Sequence, residues 1–349
     1  MIIGCDLHTR YQQIAMLEEE TGEVVTRRLE HENGEAKAFY AKLVKPSRIG
    51  IEATGYTQWF ERLVAEQGHE LWMGDAAQIR ASEVRRQKTD TRDAELLLDL
   101  LRTERFPRIW VPSAAERDSR QLLKHRAKLV KLQTLLKNQL HFLAMSQGLC
   151  RKRRLWSGRG RAELEALPLV PWASERRREL LALLDDLEPK IERLSEAVKA
   201  EAEGRADARA LMQHPGVGPV TALAYVLTVG PVERFASSRA LVSYLGLNPR
   251  EHSSGGHQRL GAISKQGNTM LRWLLVEVSH NAAQFDPELR RKYQRLKFRR
   301  GGQVAQVAVA RHLAVRLYWT LRQTSAPPTP VRMPGSPGSA VVDFGPSYV

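Results

Sequence analysis

Short apolar runs alternate with helical periodicity through the first 112 residues of the chain. Strands are predicted over residues 1–6, 12–17, 23–29, 48–55 and 69–73, and helices over 35–44, 59–66 and 91–105. Three successive strands followed by alternating strand and helix units are typical of a layered α/β domain. In open sheets of this kind, chemistry gathers at the strand ends.

Leucines at heptad spacing dominate the next part of the chain. Within a predicted helix over residues 114–147 the repeating positions are Leu122, Leu129, Leu136 and Leu143, and Leu132, Leu135 and Leu140 widen the stripe. A second predicted helix over residues 175–203 alternates spacings of four and three between apolar residues, as in a coiled-coil seam. The pattern fits an antiparallel hairpin, a coil between two chains, or an ordinary bundle within one chain.

A turn rich in Gly and Pro marks the last folded region, which starts near residue 206. The sequence Pro-Gly-Val-Gly-Pro has the form of a helix-hairpin-helix turn, in which Gly216 and Gly218 expose backbone N–H groups to a phosphate. A structural turn between two packed helices is the alternative. Helices over 268–283 and 302–323 supply core faces, and the tail is expected to be disordered because it is rich in Pro, Gly and Ser.

These patterns divide the chain into four regions. They predict an α/β domain at residues 1–112, a helical coiled-coil region with a basic loop at 113–205, a mainly α domain at 206–323, and a tail at 324–349.

The charge balance indicates a polyanionic partner. The chain carries 54 Lys and Arg against 39 Asp and Glu, a formal net charge of +15. Two cysteines, Cys5 and Cys150, give neither a disulfide framework nor metal-ligand spacing, so a reducing cytoplasm is the expected location, in association with the nucleoid. No leader with a basic start and no apolar run of membrane-spanning length is found in the sequence, so we expect no membrane partner.

Two segments concentrate the positive charge. The first is a run of four basic residues, Arg151, Lys152, Arg153 and Arg154, in a Gly-containing loop that suits phosphates rather than bases. The second, residues 289–300, interleaves Tyr293 and Phe298 with seven basic residues. Backbone tracking with aromatic stacking is one interpretation of the second segment, and a solvated amphipathic helix is the other.

Acidic residues stand at the ends of two apolar strands and at the start of a helix. Asp6 follows the first apolar run and Glu52 ends another, while Asp90 and Asp93 are three residues apart where a helix begins. Taken alone, Asp90 as an N-cap and Asp93 as a first-turn carboxylate would explain the last pair. A carboxylate in an apolar strand is costly unless it is paired or binds metal, so the four acids together predict a metal-ion site.

A polar loop with the sequence Ser-Ser-Gly-Gly lies between two helical segments of the last region. Its serines, Ser253 and Ser254, are free of apolar neighbours, and the glycines allow a close backbone approach. The basic residues near it are Arg250, Arg259 and Lys265, which could neutralise a phosphate. On chemistry alone this is a phosphate-binding loop.

Two signatures give the chain a family resemblance that covers nearly its whole length, to about residue 323. Asp on the first strand, Glu in an I-E-A-T-G strand and then K-T-D-T-x-D-A resemble the RuvC-like DEDD domain of the insertion-sequence transposases called the one-ten family. The stretch P-R-x-x-x-S-G followed by I-S-K-x-G resembles the family's second domain. The family's serine directly precedes the first glycine of that stretch.

The resemblance implies a fold, a chemistry and partners. It implies an RNase H/RuvC-like domain in which Asp6, Glu52, Asp90 and Asp93 bind Mg²⁺, and a second domain in which Ser254 is the nucleophile, with Ser253 as the adjacent alternative. It further implies a DNA recombinase that cuts and rejoins strands through a phosphoserine intermediate, guided by a structured bridge RNA. A homo-oligomer, dimer or tetramer, is expected because recombination holds several DNA ends at once.

Two other functions compete with recombination. A metal-dependent, structure-specific endonuclease of the Holliday-junction resolvase kind would use the acids for hydrolysis and the Ser-Gly loop only for binding. A nucleic-acid-binding module without catalysis would keep only the basic patches. A covalent protein–DNA adduct separates recombination from hydrolysis, and replacement of the acids by amides tests the binding module.

Overall fold

The computed structural model describes residues 1–17, 21–82, 89–151, 154–251, 253, 257 and 259–325, and it contains two compact units. One unit ends at Pro112 and the other begins at Ser113. The predicted disordered tail lies, apart from its first two residues, outside the described residues. Among the residues that the structure describes, no helix combines the length and apolar composition needed to cross a bilayer.

The first unit is a mixed sheet with helices on both faces. Its elements are β1 (Ile2–Leu7), β2 (Tyr11–Leu17), β3 (Val24–Glu30), α1 (Glu35–Lys42), β4 (Arg48–Glu52), α2 (Gln58–Glu66), β5 (Glu70–Gly74), α3 (Ala76–Ala81) and α4 (Asp90–Arg102). The strand order is β3-β2-β1-β4-β5, with β1, β2 and β3 antiparallel and β1, β4 and β5 parallel. This mixed α/β arrangement is the predicted class and is compatible with a RuvC-like domain.

Alternation along the strands separates the two faces of this sheet. Ile3 and Cys5 of β1 and Ile49 of β4 are fully buried and pack with α1 and α2 through Tyr40 and Phe60. The intervening residues of β1 and β4 point to the opposite face, which α4 covers. Because Asp6 and Glu52 alternate with these core residues, both acids lie on the face that carries α4.

The second unit is mostly helical. Its elements are α5 (Ala114–Ser146), α6 (Gly158–Glu165), α7 (Pro171–Gly204), α8 (Ala206–Met212), α9 (Pro219–Val229), α10 (Ser238–Tyr244), β6 (Pro249–Glu251), β7 (Leu260–Ile263), α11 (Thr269–Phe285), α12 (Pro287–Arg300) and α13 (Gly302–Ser325). The helix α9 forms the centre of its core, since every residue from Thr221 to Val229 is buried. A mainly helical C-terminal part is the predicted class.

The two long helices pack against each other within one chain, in opposite directions. Contacts between them run from Ser119 with Glu201 through Arg126 with Ser195 to Gln133 with Glu188. The apolar stripe is narrower than predicted, because Leu132 and Leu135, which were expected to widen it, are 41% and 55% exposed. At the other end of the pair, Leu123 and Val198 join the core around α9.

Several short elements escape the sequence patterns. The helix α3 is only six residues long, and β6 and β7 form an antiparallel hairpin that brackets the Ser-Gly loop. Such short elements contain too few residues to establish a helical or alternating period. Both elements position residues of the candidate sites.

Candidate active site

The helix α4 lies directly on the sheet because glycine occupies the point of contact. A Cβ atom at Gly4 of β1 would be 2.2 Å from the carbonyl oxygen of Ala94, and one at Gly50 of β4 would be 2.6 Å from Leu101. Gly4 and Gly50 are direct neighbours across the parallel pair. This close approach brings the first turn of α4 to the end of β1 where Asp6 lies.

The first turn of α4 carries two of the predicted acids. Its N-cap is Thr89, whose Oγ1 accepts a hydrogen bond from the backbone N–H of Arg92. The capping interpretation of Asp90 is therefore wrong, and Asp90 and Asp93 both lie within the helix. Both raise the pKa of Asp6 through their negative charge, which indicates that the three carboxylates share one electrostatic environment.

His8, which the sequence patterns did not identify, belongs to the same group. The Nε2 atom of His8 lies 3.0 Å from Oδ2 of Asp6 and 3.5 Å from Oδ2 of Asp90. Asp6, His8 and Asp90 each offer one atom to a cluster in which all atoms are within 4.8 Å of one another. The signal in the sequence was the spacing Asp-x-His at the end of an apolar strand, where alternate residues point to the same face.

A tyrosine holds Asp90 from the neighbouring strand. The hydroxyl of Tyr11 on β2 donates to Oδ2 of Asp90 at 2.8 Å. The guanidinium of Arg28 on β3 stacks over the Tyr11 ring at 3.6 Å from its centroid, and the ring of His8 lies 4.6 Å from it. Asp90 is therefore fixed in place by a chain of contacts that crosses three strands of the sheet.

Glu52 lies on the same sheet face, but its contacts differ from those of the other acids. Its Oε1 atom is 3.6 Å from the guanidinium of Arg80 on the short helix α3. Glu52 does not contribute to the cluster formed by Asp6, His8 and Asp90 among the described residues. The structure thus brings Asp6, Asp90 and Asp93 together and leaves Glu52 beside them, paired with a cation.

Burial and nearby negative charges disfavour the ionised form of the Asp6 carboxyl group. Burial is the largest cause of its raised pKa, and the charges of Asp93 and Asp90 add to it, while His8 acts in the opposite direction. A divalent cation would relieve this repulsion, and carboxylate oxygens with one imidazole are an ordinary donor set for such an ion. The residues therefore fit a divalent metal.

The Ser-Gly loop is held at its base rather than at its tip. A Cβ atom at Gly246 would be 2.2 Å from the carbonyl oxygen of Gln266, and one at Gly267 would be 2.0 Å from that of Tyr244. The buried side chain of Arg272 donates to the carbonyl oxygens of Leu245 and Gln266 on both sides of this contact. The two ends of the β6–β7 hairpin are thereby locked together.

The two candidate serines, Ser253 and Ser254, lie in sequence between the two strands of the hairpin. Ser254 lies outside the described residues. The hydroxyl of Ser253 donates to Oε1 of Glu251 at 2.5 Å and accepts from the backbone N–H of Arg259 at 3.1 Å, so both of its hydrogen-bonding functions are used.

The three basic residues predicted near the serines all belong to the hairpin or its base. Arg250 and Arg259 flank the loop and are exposed, and Arg250 donates to the carbonyl oxygen of Ser264 at 3.4 Å. Lys265 has a left-handed backbone with φ of 59°, and its N–H donates to the carbonyl oxygen of Gly246. The three cations therefore lie within the hairpin or at its base.

One of the four basic residues predicted to contact phosphate pairs with an acidic residue of the same chain. Arg151 forms a bidentate pair with Glu163, at 2.6 and 3.0 Å, so its charge is neutralised within the chain. Lys152 and Arg153 lie outside the described residues. Arg154 is exposed, and its backbone closes a turn with Arg151.

The Gly-Pro turn between α8 and α9 packs against α11 at one glycine and begins α9 at the other. Gly216 has a φ of 82°, and a Cβ there would meet the backbone N of Ala282 on α11 at 3.0 Å. Gly218 is the N-cap of α9, and no described atom lies within 4 Å of the Cβ it lacks. Of the two predicted phosphate-contacting glycines, Gly216 is exposed and Gly218 is half-buried.

Comparison with known proteins agrees with this geometry. Residues 208–294 match the family described as Transposase IS116/IS110/IS902 family, and residues 3–144 match the DEDD transposase domain of the IS110 group. A probable family 20 transposase from Pseudomonas aeruginosa is 32% identical over 333 residues, which cover 91% of this chain and 96% of that protein. The transposase for insertion sequence element IS1111A from Coxiella burnetii is 30% identical over 79% of this chain and 76% of its own length.

A more distant relative carries a different description. A pilin gene-inverting protein from Moraxella lacunata is 27% identical over 59% of this chain and 57% of its own length. The two domain matches and the near full-length similarity define a DNA transposase with a DEDD-type domain, a class that binds DNA and uses divalent metal ions. The chain belongs to the IS116/IS110/IS902 family of insertion-sequence transposases.

Proposed function

We propose that this transposase is a site-specific recombinase that cuts and rejoins DNA through a phosphoserine intermediate at Ser254, with Mg²⁺ held by its acidic residues. The observation that carries the proposal is the convergence of Asp6, Asp90 and Asp93 at one sheet edge, which the contact between Gly4 and Ala94 makes possible. Asp6 and Asp90 with His8 would hold the ion, and Asp93 in the same helix turn as Asp90 and Glu52 on the same sheet face would complete its surroundings.

The proposed reaction takes place at Ser254. Its Oγ atom gives up a proton and attacks the phosphorus, the bond from phosphorus to one bridging oxygen of the strand breaks, and the leaving oxygen takes up one proton to become a hydroxyl. The DNA is then held as a phosphoserine ester. Attack by the hydroxyl of another strand reverses the step and frees the serine, so that the number of phosphoester bonds is conserved. When bound, Mg²⁺ would polarise the phosphate oxygens and neutralise developing charge.

The contacts of Ser253 favour Ser254 as the nucleophile. The hydroxyl of Ser253 closes the hairpin tip between Glu251 and Arg259, which is a structural task. Arg250, Arg259 and Lys265, which are exposed within the hairpin or at its base, would stabilise the charge of the phosphate during attack. The resemblance of the P-R-x-x-x-S-G stretch to the family also supports Ser254.

Rejoining of strands has separate support. Inversion of a gene requires that cut ends be joined again, and the similarity to a pilin gene-inverting protein supports this chemistry for the present chain. Guidance by a structured bridge RNA rests on the resemblance and on the net charge of +15. Arg154 and the turn glycines Gly216 and Gly218 are the best candidates for backbone contacts outside the hairpin. A dimer or tetramer follows from the need to hold several DNA ends.

A covalent-adduct assay tests the proposal. Purified protein, Mg²⁺, flank RNA of the element and labelled, nicked junction DNA are mixed, denatured and resolved on a gel. The variants Ser254→Ala, Ser253→Ala and Asp6→Asn run alongside. We expect an adduct with the unmodified protein and with Ser253→Ala, and none with Ser254→Ala or Asp6→Asn.

The other results each correspond to a different mechanism. An adduct that survives in Ser254→Ala and disappears in Ser253→Ala would move the nucleophile by one residue and assign Glu251 as its hydrogen-bond acceptor. Cleavage that depends on Asp6 without an adduct in any lane would instead identify a metal-dependent endonuclease that acts by hydrolysis. Omission of the RNA tests guidance, because an unguided enzyme would form the adduct equally well.

A further inference from the structure

The basic helix α12 carries a large aromatic side chain in full contact with solvent. Phe298 is 94% exposed, although burial of a phenylalanine side chain is normally worth about 1.5–3 kcal/mol. It lies in the last turn of the helix, followed by Gly301, around whose missing Cβ no described atom lies within 4 Å. A flat ligand therefore has free access to the ring.

The face that carries Phe298 is positively charged. Arg295 and Arg291 precede Phe298 by three and seven residues, so the three side chains follow one another along the same side of the helix. Both arginines are exposed, and within the described part of the chain neither pairs with a carboxylate. Over Pro287–Arg300 the only acidic residue is Glu288, and it pairs with Arg316.

The second aromatic residue of the helix has a different role. Tyr293 packs against the core of the second unit, and Lys297 lies over its ring at 5.9 Å from the centroid. Of the two aromatic residues interleaved with basic ones, only Phe298 is therefore available to a partner. Burial lowers the pKa of Lys292 on the same helix, Glu288 acts in the opposite direction, and the charges of Arg295, Arg316 and Arg311 lower it further.

We propose that Phe298, flanked by Arg291 and Arg295, is a stacking site for an unpaired base of single-stranded DNA. The proposal deepens the assignment of the chain as a DNA transposase and rests on it. An exposed ring binds the face of a base, which is accessible when the base is unpaired, while neighbouring cations bind the phosphates on either side. Duplex DNA offers the same phosphates but no base face, so it would use the arginines without the ring.

Oligonucleotide binding in EDTA isolates this site from catalysis. Labelled oligo(dT) and oligo(U) of roughly 12 nucleotides and a duplex of the same length are titrated with the full chain, and binding is followed by fluorescence anisotropy at several salt concentrations. Phe298→Ala is compared with Phe298→Trp, which keeps a stacking ring. The matched control is Phe285→Ala, because Phe285 is 71% exposed in the same unit but ends α11, a helix without this basic face.

The expected result has three parts. Phe298→Ala lowers affinity for oligo(dT) by about 5- to 150-fold, the loss of one stacked base, without changing the slope of affinity against salt. Arg295→Ala makes that slope shallower by about 0.7 for the phosphate contact it loses. Phe298→Trp and Phe285→Ala bind as the unmodified chain does, and an iodouracil-substituted oligonucleotide cross-links to Phe298.

Four results would overturn the proposal. They are unchanged binding by Phe298→Ala, an equal loss in Phe285→Ala, an equal loss with the duplex, and a loss confined to oligo(U), which would assign the site to RNA. Because no metal or cleavage is involved, these results are independent of the covalent-adduct assay. If the unmodified chain forms no adduct but binds oligo(dT) normally, the result counts against the recombinase mechanism alone.

Discussion

Gly4 and Ala94 touch through their backbones, with 2.2 Å between the carbonyl oxygen of Ala94 and the position that a Cβ on Gly4 would occupy. No side chain separates β1 from α4 at this point. The distance between Asp6, two residues further along β1, and the first turn of α4 is consequently set by main-chain packing, which is much stiffer than side-chain packing.

Gly4→Ala is therefore expected to disturb both stability and metal binding. The added methyl group meets backbone atoms that cannot rotate away, so the helix must shift, at a cost of about 1–3 kcal/mol or more in the free energy of unfolding. The shift also separates Asp90 from Asp6 and weakens divalent-cation affinity. Chemical denaturation and calorimetric titration with Mg²⁺ measure the two effects. Gly55→Ala is the control, because no described atom lies within 4 Å of its added carbon, and equal losses in both variants would contradict the explanation.

Much of this site was predictable because its main residues follow regular periods. Asp6 and Glu52 end apolar strands that alternate between two faces, and Asp90 and Asp93 begin a helix with a clear apolar stripe. Those periods determine which face each acid occupies, and parallel neighbours bring strand ends to one edge. The two long helices were predictable for the same reason, since a heptad stripe extends over many turns, whereas their antiparallel packing within one chain was one of three alternatives.

The remaining contacts depend on geometry that no local pattern contains. Arg80 reaches Glu52 from a helix of six residues, and Arg151 reaches Glu163 across a turn. Tyr11 approaches Asp90 although 79 positions separate them in sequence. In each case a polar side chain meets its partner only after the chain has folded, so neither hydrophobic period nor residue type indicates the pairing.

Tyr11→Phe should weaken metal binding while the fold remains intact. The substitution removes the hydroxyl that donates to Asp90 and leaves the ring under Arg28. Loss of a hydrogen bond that orients a metal-ligating group typically costs about 10- to 100-fold in affinity. Calorimetric titration with Mg²⁺ measures the loss. Tyr56→Phe removes a hydroxyl bonded to the backbone of Leu7 instead, and it should retain normal affinity; an equal effect of the two changes would refute the positioning role of Tyr11.

His8 should determine which metals the site prefers. Imidazole nitrogen favours later first-row metals over Mg²⁺, which prefers oxygen. His8→Ala is therefore expected to lower affinity for Co²⁺ by at least about tenfold and for Mg²⁺ by no more than about twofold, and to change the visible spectrum of bound Co²⁺. His125→Ala, at an exposed position of α5, controls for nonspecific Co²⁺ binding. A parallel loss of both metals with an unchanged spectrum would mean that His8 only orients Asp6.

Arg80→Gln should strengthen metal binding, in contrast to the changes above. Arg80 places a positive charge 3.6 Å from Glu52, where it competes with a cation for that carboxylate. Exposed pairs of this kind are worth about 0–1 kcal/mol, so their removal should raise Mg²⁺ affinity by up to about fivefold. The gain should disappear in the double variant Arg80→Gln with Glu52→Gln, since no carboxylate then remains to be released. A gain that persists there would indicate a general charge effect rather than competition for Glu52.

Acid should destabilise the second unit through His214. Nε2 of His214 lies 2.8 Å from Oγ1 of Thr320, and its pKa is lowered below 6.5 by burial and by Arg316, with Asp286 acting in the opposite direction. The unfolded chain therefore binds a proton that the folded chain resists, so the free energy of unfolding falls as pH drops through the ordinary histidine range and is fully retained above it.

His214→Gln keeps a polar group beside Thr320 but cannot titrate. Urea unfolding from about pH 7 to about pH 5 should be less dependent on pH in this variant. The exposed His125→Gln should behave as the unmodified chain. The same pH dependence in all three proteins would exclude His214 as a source of acid sensitivity and leave His312 in this unit, whose pKa is also lowered by burial.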